Sequence, residues 1–126
     1  MTVTTKTKPI RKQNRVAERI IQKGMDNEYR ESILSLDRII EQWKYKRISN
    51  SSAYFKLVHN LILSDKSITR RYDDISPEDY ASVIASLLID GFISKEDLLG
   101  LDDDMKAEIL ACIRSKDELA PKSRDF

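Results

Sequence analysis

Residues 29–43, YRESILSLDRIIEQW, carry the pattern on which the reading of this chain turns. Tyr29, Ile33, Leu36, Ile40 and Trp43 follow one another at steps of four, three, four and three. Steps of that size return to the same side of an α-helix, whereas a half-buried strand alternates at every second residue. The spacing predicts a helix with one buried apolar face, widened by Leu34 and Ile39. Asp26 or Asn27 can offer a side-chain oxygen to the first-turn amides, and the helix is expected to run to about Arg47.

Outward from this helix, Ser49, Asn50, Ser51 and Ser52 interrupt the pattern. A further helix is predicted with Tyr54, Leu57, Val58, Leu61 and Ile62 on its inner face, then a polar connection over 64–75. Two similar phrases follow, Ile75-Ser76-Pro77-Glu78-Asp79-Tyr80 and Ile93-Ser94-Lys95-Glu96-Asp97-Leu98. Each reads as a helix start: the Ser caps, the acid three residues on reaches back to the Ser amide, and the preceding Ile staples onto the first turn. Pro77 stands where a missing N–H costs nothing. The expected helices are 77–89, with Tyr80, Val83, Ile84, Leu87 and Leu88 inward and Gly91 at its end, and a short 95–99 ended by Gly100. Asp102 caps a last one over 103–115, with Met105, Ile109, Leu110 and Ile113 inward. Towards the N-terminus, 11–23 form a short helix with Val16, Ile20 and Ile21 on one side, and Gly24 is placed to end it through a positive φ.

These elements predict an all-α fold, a single compact bundle of four to six helices. Its expected organisation is a basic, partly disordered N-terminal arm (1–24), a helical domain (25–116) and a flexible C-terminal tail (117–126). Three Gly and three Pro in 126 residues are too few turn residues for a sandwich or barrel. No apolar run is long enough to span a membrane, and the basic N-terminus has no apolar core behind it, as a secretory signal would. The single cysteine, Cys112, has no internal partner for a disulfide, which points to a reducing, cytoplasmic or nuclear setting.

Charge is distributed unevenly. Residues 1–72 hold 16 Lys/Arg against 7 Asp/Glu, and residues 73–126 hold 6 against 14, so the net +1 conceals a polar molecule. A basic half attracts phosphate or an acidic protein; an acidic half repels phosphate. The excess lies in two segments, 1–24 and 43–72, and in the second Trp43, Tyr45, Tyr54 and Phe55 are interleaved with Lys44, Lys46, Arg47 and Lys56. Aromatics between cations are the composition of surfaces that stack bases and hold phosphates. The helix start at Ser51 and Ser52 adds free backbone N–H groups beside Lys44, Lys46 and Arg47, a plausible anion pocket. The competing structural reading makes Trp43 and Phe55 core residues and the cations a solvated rim, or pairs the basic half with the acidic half.

Catalytic and metal chemistry find little support. Asp90-Gly91-Phe92-Ile93-Ser94 with Glu96 and Asp97 resembles the second half of an EF-hand calcium loop. Its alignment puts Ser86 and Leu88 at the first carboxylate positions and Asp97 where a bidentate Glu belongs, too few oxygens for calcium. The Asp102–Asp104 run reads as a cap with favourable charge at a helix start. A recognition helix bearing Glu96 and Asp97 would be repelled by DNA phosphates. His59, the one histidine, lacks partners for a dyad or a zinc site and reads as a half-buried structural residue, and Cys112 reads as core. There is no phosphate loop and no serine elbow. No catalytic residue, cofactor or metal is expected.

The function expected from these residues is that of a non-catalytic binding protein, with a transcription-associated regulator favoured. Arg11, Lys12, Arg15, Arg19, Lys44, Lys46, Arg47, Lys56, Arg70 and Arg71 would contact nucleic acid or an acidic protein of nucleic-acid machinery. A second protein partner could use the acidic C-terminal half. The rival reading is a protein–protein adaptor or inhibitor with no nucleic-acid contact, anchored by exposed aromatics and Arg; a further rival is a homodimer held by opposite charges.

Overall fold

The computed structural model describes residues 10–119. Helix α1 spans Ile10–Lys44, α2 Asn50–Tyr72, α3 Tyr80–Ile89 and α4 Asp103–Leu119, with 3₁₀ turns at Pro77–Asp79 and Lys95–Leu98. The fold is all-α, with no strand among the described residues. The expected tail at 1–9 and residues 120–126 lie outside those described, whereas α4 continues through 117–119, which were expected to fray.

Two further boundaries differ from expectation. First, Gly24 does not end a helix: α1 passes through it as one 35-residue element, so the boundary expected between arm and domain falls inside a helix. The reason is packing. A Cβ at position 24 would stand 2.6 Å from Leu87 Cδ1 and 2.8 Å from Cδ2, so the missing side chain makes room for a fully buried leucine of α3. Second, α2 does not stop near Leu63 but runs to Tyr72. Residues 64–72 look like a loop because the side chains facing α1 there are polar; Ser67, Arg71 and Tyr72 all bond to Glu28.

The local start and stop signals act as expected. The Ser76 N–H donates to Asp79 Oδ2 at 3.0 Å and the Ser94 N–H to Asp97 Oδ2 at 2.8 Å, although both phrases open 3₁₀ turns. Asp102 Oδ1 accepts from the Met105 N–H at 2.9 Å, and Ser49 Oγ from the Ser52 N–H at 3.1 Å. Gly91 ends α3 at φ 80°, with the Phe92 N–H returning to the Leu87 carbonyl.

The chain divides into two compact units, one of residues 25–74 and one joining the stretch before residue 25 to the stretch from residue 75 onwards. The second has a well-formed core. Ala17, Ile20 and Ile21 of α1 are buried, as are Tyr80, Ala81, Val83, Ile84, Ala85 and Leu87 of α3, with Ile93, Leu101 and Ile109. Helix α3 is apolar on nearly all sides because it lies within this core. Polar ties fix the α1 segment: Tyr80 Oη donates to Glu18 at 2.7 Å, the Asp102 N–H to Gln13 at 2.9 Å, and Lys23 pairs with Asp97. That ammonium, helped by the Ser94 amide, holds the Asp97 carboxyl below its ordinary range.

In the 25–74 unit the expected inner faces are only partly buried. Ile39 and Ala53 are buried and Leu36, Ile40 and Leu57 half-buried, but Tyr29, Ile33, Trp43, Tyr54, Val58, Leu61 and Ile62 are exposed. Leu110 of α4, also expected inward, is exposed. In place of an apolar core, the two helices share the buried carboxylate of Glu28, which accepts from Ser67 Oγ (3.0 Å), Arg71 Nε (3.0 Å) and Tyr72 Oη (2.8 Å). A buried charge is tolerated only when paired and hydrogen-bonded in this way.

Candidate functional site

The turn from α1 to α2 gathers the cations of the second basic segment. After Lys44 the chain closes with the Lys46 N–H on the Trp43 carbonyl (2.9 Å) and the Arg47 N–H on the Gln42 carbonyl (2.8 Å). This paired closure ends a helix with one residue in the left-handed region, a position that glycine usually holds. Here Lys46 holds it, at φ 58°. A side chain there costs about 1 kcal/mol relative to glycine. The turn leads straight into the Ser49 cap of α2.

The result is an open groove of about 590 Å³ lined by Trp43, Lys44, Lys46, Arg47, Ile48, Ser49 and Asn50. Trp43 Nε1 donates to Asn50 Oδ1 at 2.7 Å, which orients the half-exposed indole along the groove wall. Lys44, Lys46 and Arg47 are exposed and enter no ion pair among the described residues. No lining residue is acidic, and the first turn of α2 carries no acid. The Asn50 and Ser51 amides have no acceptor within the helix, and the α2 dipole adds positive potential at the same end. Everything that converges here favours an anion.

The other predicted residues are not brought together with this groove. Lys12, Arg15 and Arg19 are exposed on α1, and Lys56 and Arg70 on α2. The Arg11 side chain lies outside the described residues. Arg71 leaves the candidate set, because its side chain is only 11% exposed and its Nε is held by Glu28. Trp43, expected as core, lines the groove instead, Phe55 is exposed, and His59 is exposed where half-burial was expected. Cys112 is half-buried. Among the described residues no three His, Cys, Asp or Glu side chains cluster as a metal site would need.

A second concavity lies in the other unit. It has a volume of about 660 Å³ and its lining includes Leu88, Leu98, Ile109 and Ile113, with Lys95 and Lys106 as the charged members. Sequence spacing did not reveal it, because its apolar walls come from three elements. No helix of the described residues is long and apolar enough to cross a membrane. Comparison with protein-family models, with curated proteins and with solved structures finds no match.

Proposed function

We propose that this chain is a non-catalytic binding protein whose turn between α1 and α2 takes a phosphate of a nucleic acid, with Trp43 beside it for base stacking. One observation carries the reading: Lys46 occupies a left-handed position that favours glycine, between two more unpaired cations and ahead of the α2 amides. A cation kept at a conformational cost is a mark of function. Stacking on the indole and neutralisation by Lys44, Lys46 and Arg47 suit a single strand best.

The test is titration of the sole tryptophan's fluorescence with single-stranded and duplex DNA and with RNA at several salt concentrations. Binding should weaken with salt, with a log–log slope of about −2 for a single strand meeting three cations. Lys46→Gly is the discriminating variant. It is expected to stabilise the fold by about 0.5–1 kcal/mol while weakening binding severalfold; a change in stability alone would make the residue structural. Charge reversal of Lys44, Lys46 and Arg47 together should abolish binding. Retention in that variant, with loss on reversal of Lys12, Arg15 and Arg19, would move the contact to α1.

A protein partner is the second reading, favoured by the apolar concavity with Lys95 and Lys106 in its lining, which suits an apolar helix carrying carboxylates.

A further inference from the structure

Residues 25–74 form an antiparallel pair of helices with very little core of their own. The pairing is antiparallel because Glu28 meets Ser67 and Arg71 while Trp43 meets Asn50. Ile39 and Ala53 are the buried apolar side chains of this unit, yet ten of the thirteen large apolar side chains that remain exposed belong to it. Exposure reaches 64% at Ile33, 63% at Tyr54 and 66% at Phe55.

These side chains are not scattered. With 3.6 residues per turn, Tyr54, Val58, Leu61 and Ile62 fall within about 100° of one another around α2. The side of α2 that meets α1 is a different one, carrying Ala53, Asn60, Ser64, Ser67 and Arg71. On α1, Tyr29, Ile33, Leu36, Ile40 and Trp43 lie about a quarter turn from Glu28 and Ile39. In an antiparallel pair, equal senses of rotation from the contact line lead to the same side. The two stripes therefore make one continuous apolar face on one side of the pair.

We propose that this face is covered by the same face of a second copy, two helix pairs closing a four-helix bundle about a two-fold axis. Three considerations favour this occupant. The exposed area is on the order of 800–900 Å² per chain, which matches what each partner contributes to a stable interface. A patch of that size exceeds what monomers ordinarily expose. The unit carries nine Lys/Arg against eight Asp/Glu, so a like copy meets no net repulsion and a partner of opposite charge is not called for. Two layers of helices with a shared core are the smallest arrangement that buries such a face, and an isologous contact lets each patch bury its equivalent.

The test is light scattering of the full chain after size exclusion, at low and high ionic strength. The expected mass is twice 14.6 kDa at both. Val58→Glu with Leu61→Glu should return it to 14.6 kDa with helical circular dichroism retained, while Leu99→Glu with Leu110→Glu, exposed apolar positions outside this unit, should leave the doubled mass intact. If the glutamates unfold the chain, Val58→Ala with Leu61→Ala, which raises helix propensity, should weaken the dimer on the order of 100-fold. A wild-type mass of one chain overturns the proposal. So does a dimer that dissociates in salt, which opposite charges would then hold, or one that depends on Leu99 and Leu110. A doubled mass seen only with another protein bound assigns the face to that protein and equally overturns it. Charge reversal at Lys44, Lys46 and Arg47 should leave the mass unchanged, so this result and the nucleic-acid test fail independently.

Discussion

Glu28 shows how far a single side chain can depart from what its neighbours in sequence suggest. It stands in a charged stretch, Asp26 to Glu31, that reads as solvated, yet it is buried and accepts three hydrogen bonds from α2. Removing one partner of a buried pair leaves the other charged and unsatisfied. Glu28→Ala is accordingly expected to cost about 3–5 kcal/mol in urea unfolding, and Glu28→Gln clearly less because Ser67 and Tyr72 keep an acceptor. A cost for Glu28→Ala under about 1 kcal/mol would mean that Arg71 reaches solvent. Two phenols report on the same kind of contact. Burial, followed by the bond to Glu28, pushes Tyr72 well above its ordinary 10; the bond to Glu18, followed by burial, raises Tyr80. Their folded-state pKa values exceed the unfolded one, so their contribution to stability is whole below pH 10 and is lost as pH rises through the folded values. Ultraviolet titration should show a late tyrosinate component that Tyr72→Phe and Tyr80→Phe remove. A wild-type titration complete near pH 10 would count against both bonds.

Among the helices, α1 carries the clearest lesson. Glycine within a helix normally costs about 0.5–1 kcal/mol relative to alanine, so Gly24→Ala would ordinarily stabilise. Here the added methyl enters the space of Leu87, which is buried on all sides and has no free volume to yield. Gly24→Ala is therefore expected to destabilise by about 1–3 kcal/mol. In a Leu87→Ala background the same substitution should become neutral or stabilising, because the colliding atoms are gone. Additivity in this double-mutant cycle, measured by thermal unfolding, would show that the two side chains do not meet. The continuity of α1 and the length of α2 share one cause: each helix is sustained at its ambiguous stretch by what packs on it, a leucine in one case and a carboxylate in the other.

Over the whole chain, the charge asymmetry changes meaning on folding. The basic stretch at the start of α1 joins one compact unit with the acidic stretch after residue 75, and Lys23 pairs with Asp97 inside it. Residues 10–24 and 75–119 together carry nine Lys/Arg and twelve Asp/Glu, so the linear polarity does not become a polarity between units. The anion site we favour is consequently narrow, the turn at 44–47, and not the entire leading half. Nor is the first segment a dispensable arm. Ala17, Ile20 and Ile21 are buried with α3, so deletion of residues 1–24 should abolish the cooperative melting of the 75–119 portion. Arg15→Ala with Arg19→Ala, at exposed positions, should leave that melting intact. Cooperative melting that survives the deletion would show that α3 and α4 form their core unaided.

What could be read from residue order alone follows a physical rule. Helix class, the caps at Ser76, Ser94 and Asp102, the stop at Gly91 and the inward side of α3 depend on atoms within a few residues of each other, and spacing reports them. The Lys44–Arg47 groove was legible for the same reason, since a tight turn keeps neighbours together. The passage of α1 through Gly24, the placement of Arg71 on Glu28 and the exposure of the Tyr29–Trp43 stripe all hinge on residues distant in the chain. An apolar stripe states that a face prefers to leave water; which surface covers it is a matter of three-dimensional packing that no local pattern encodes.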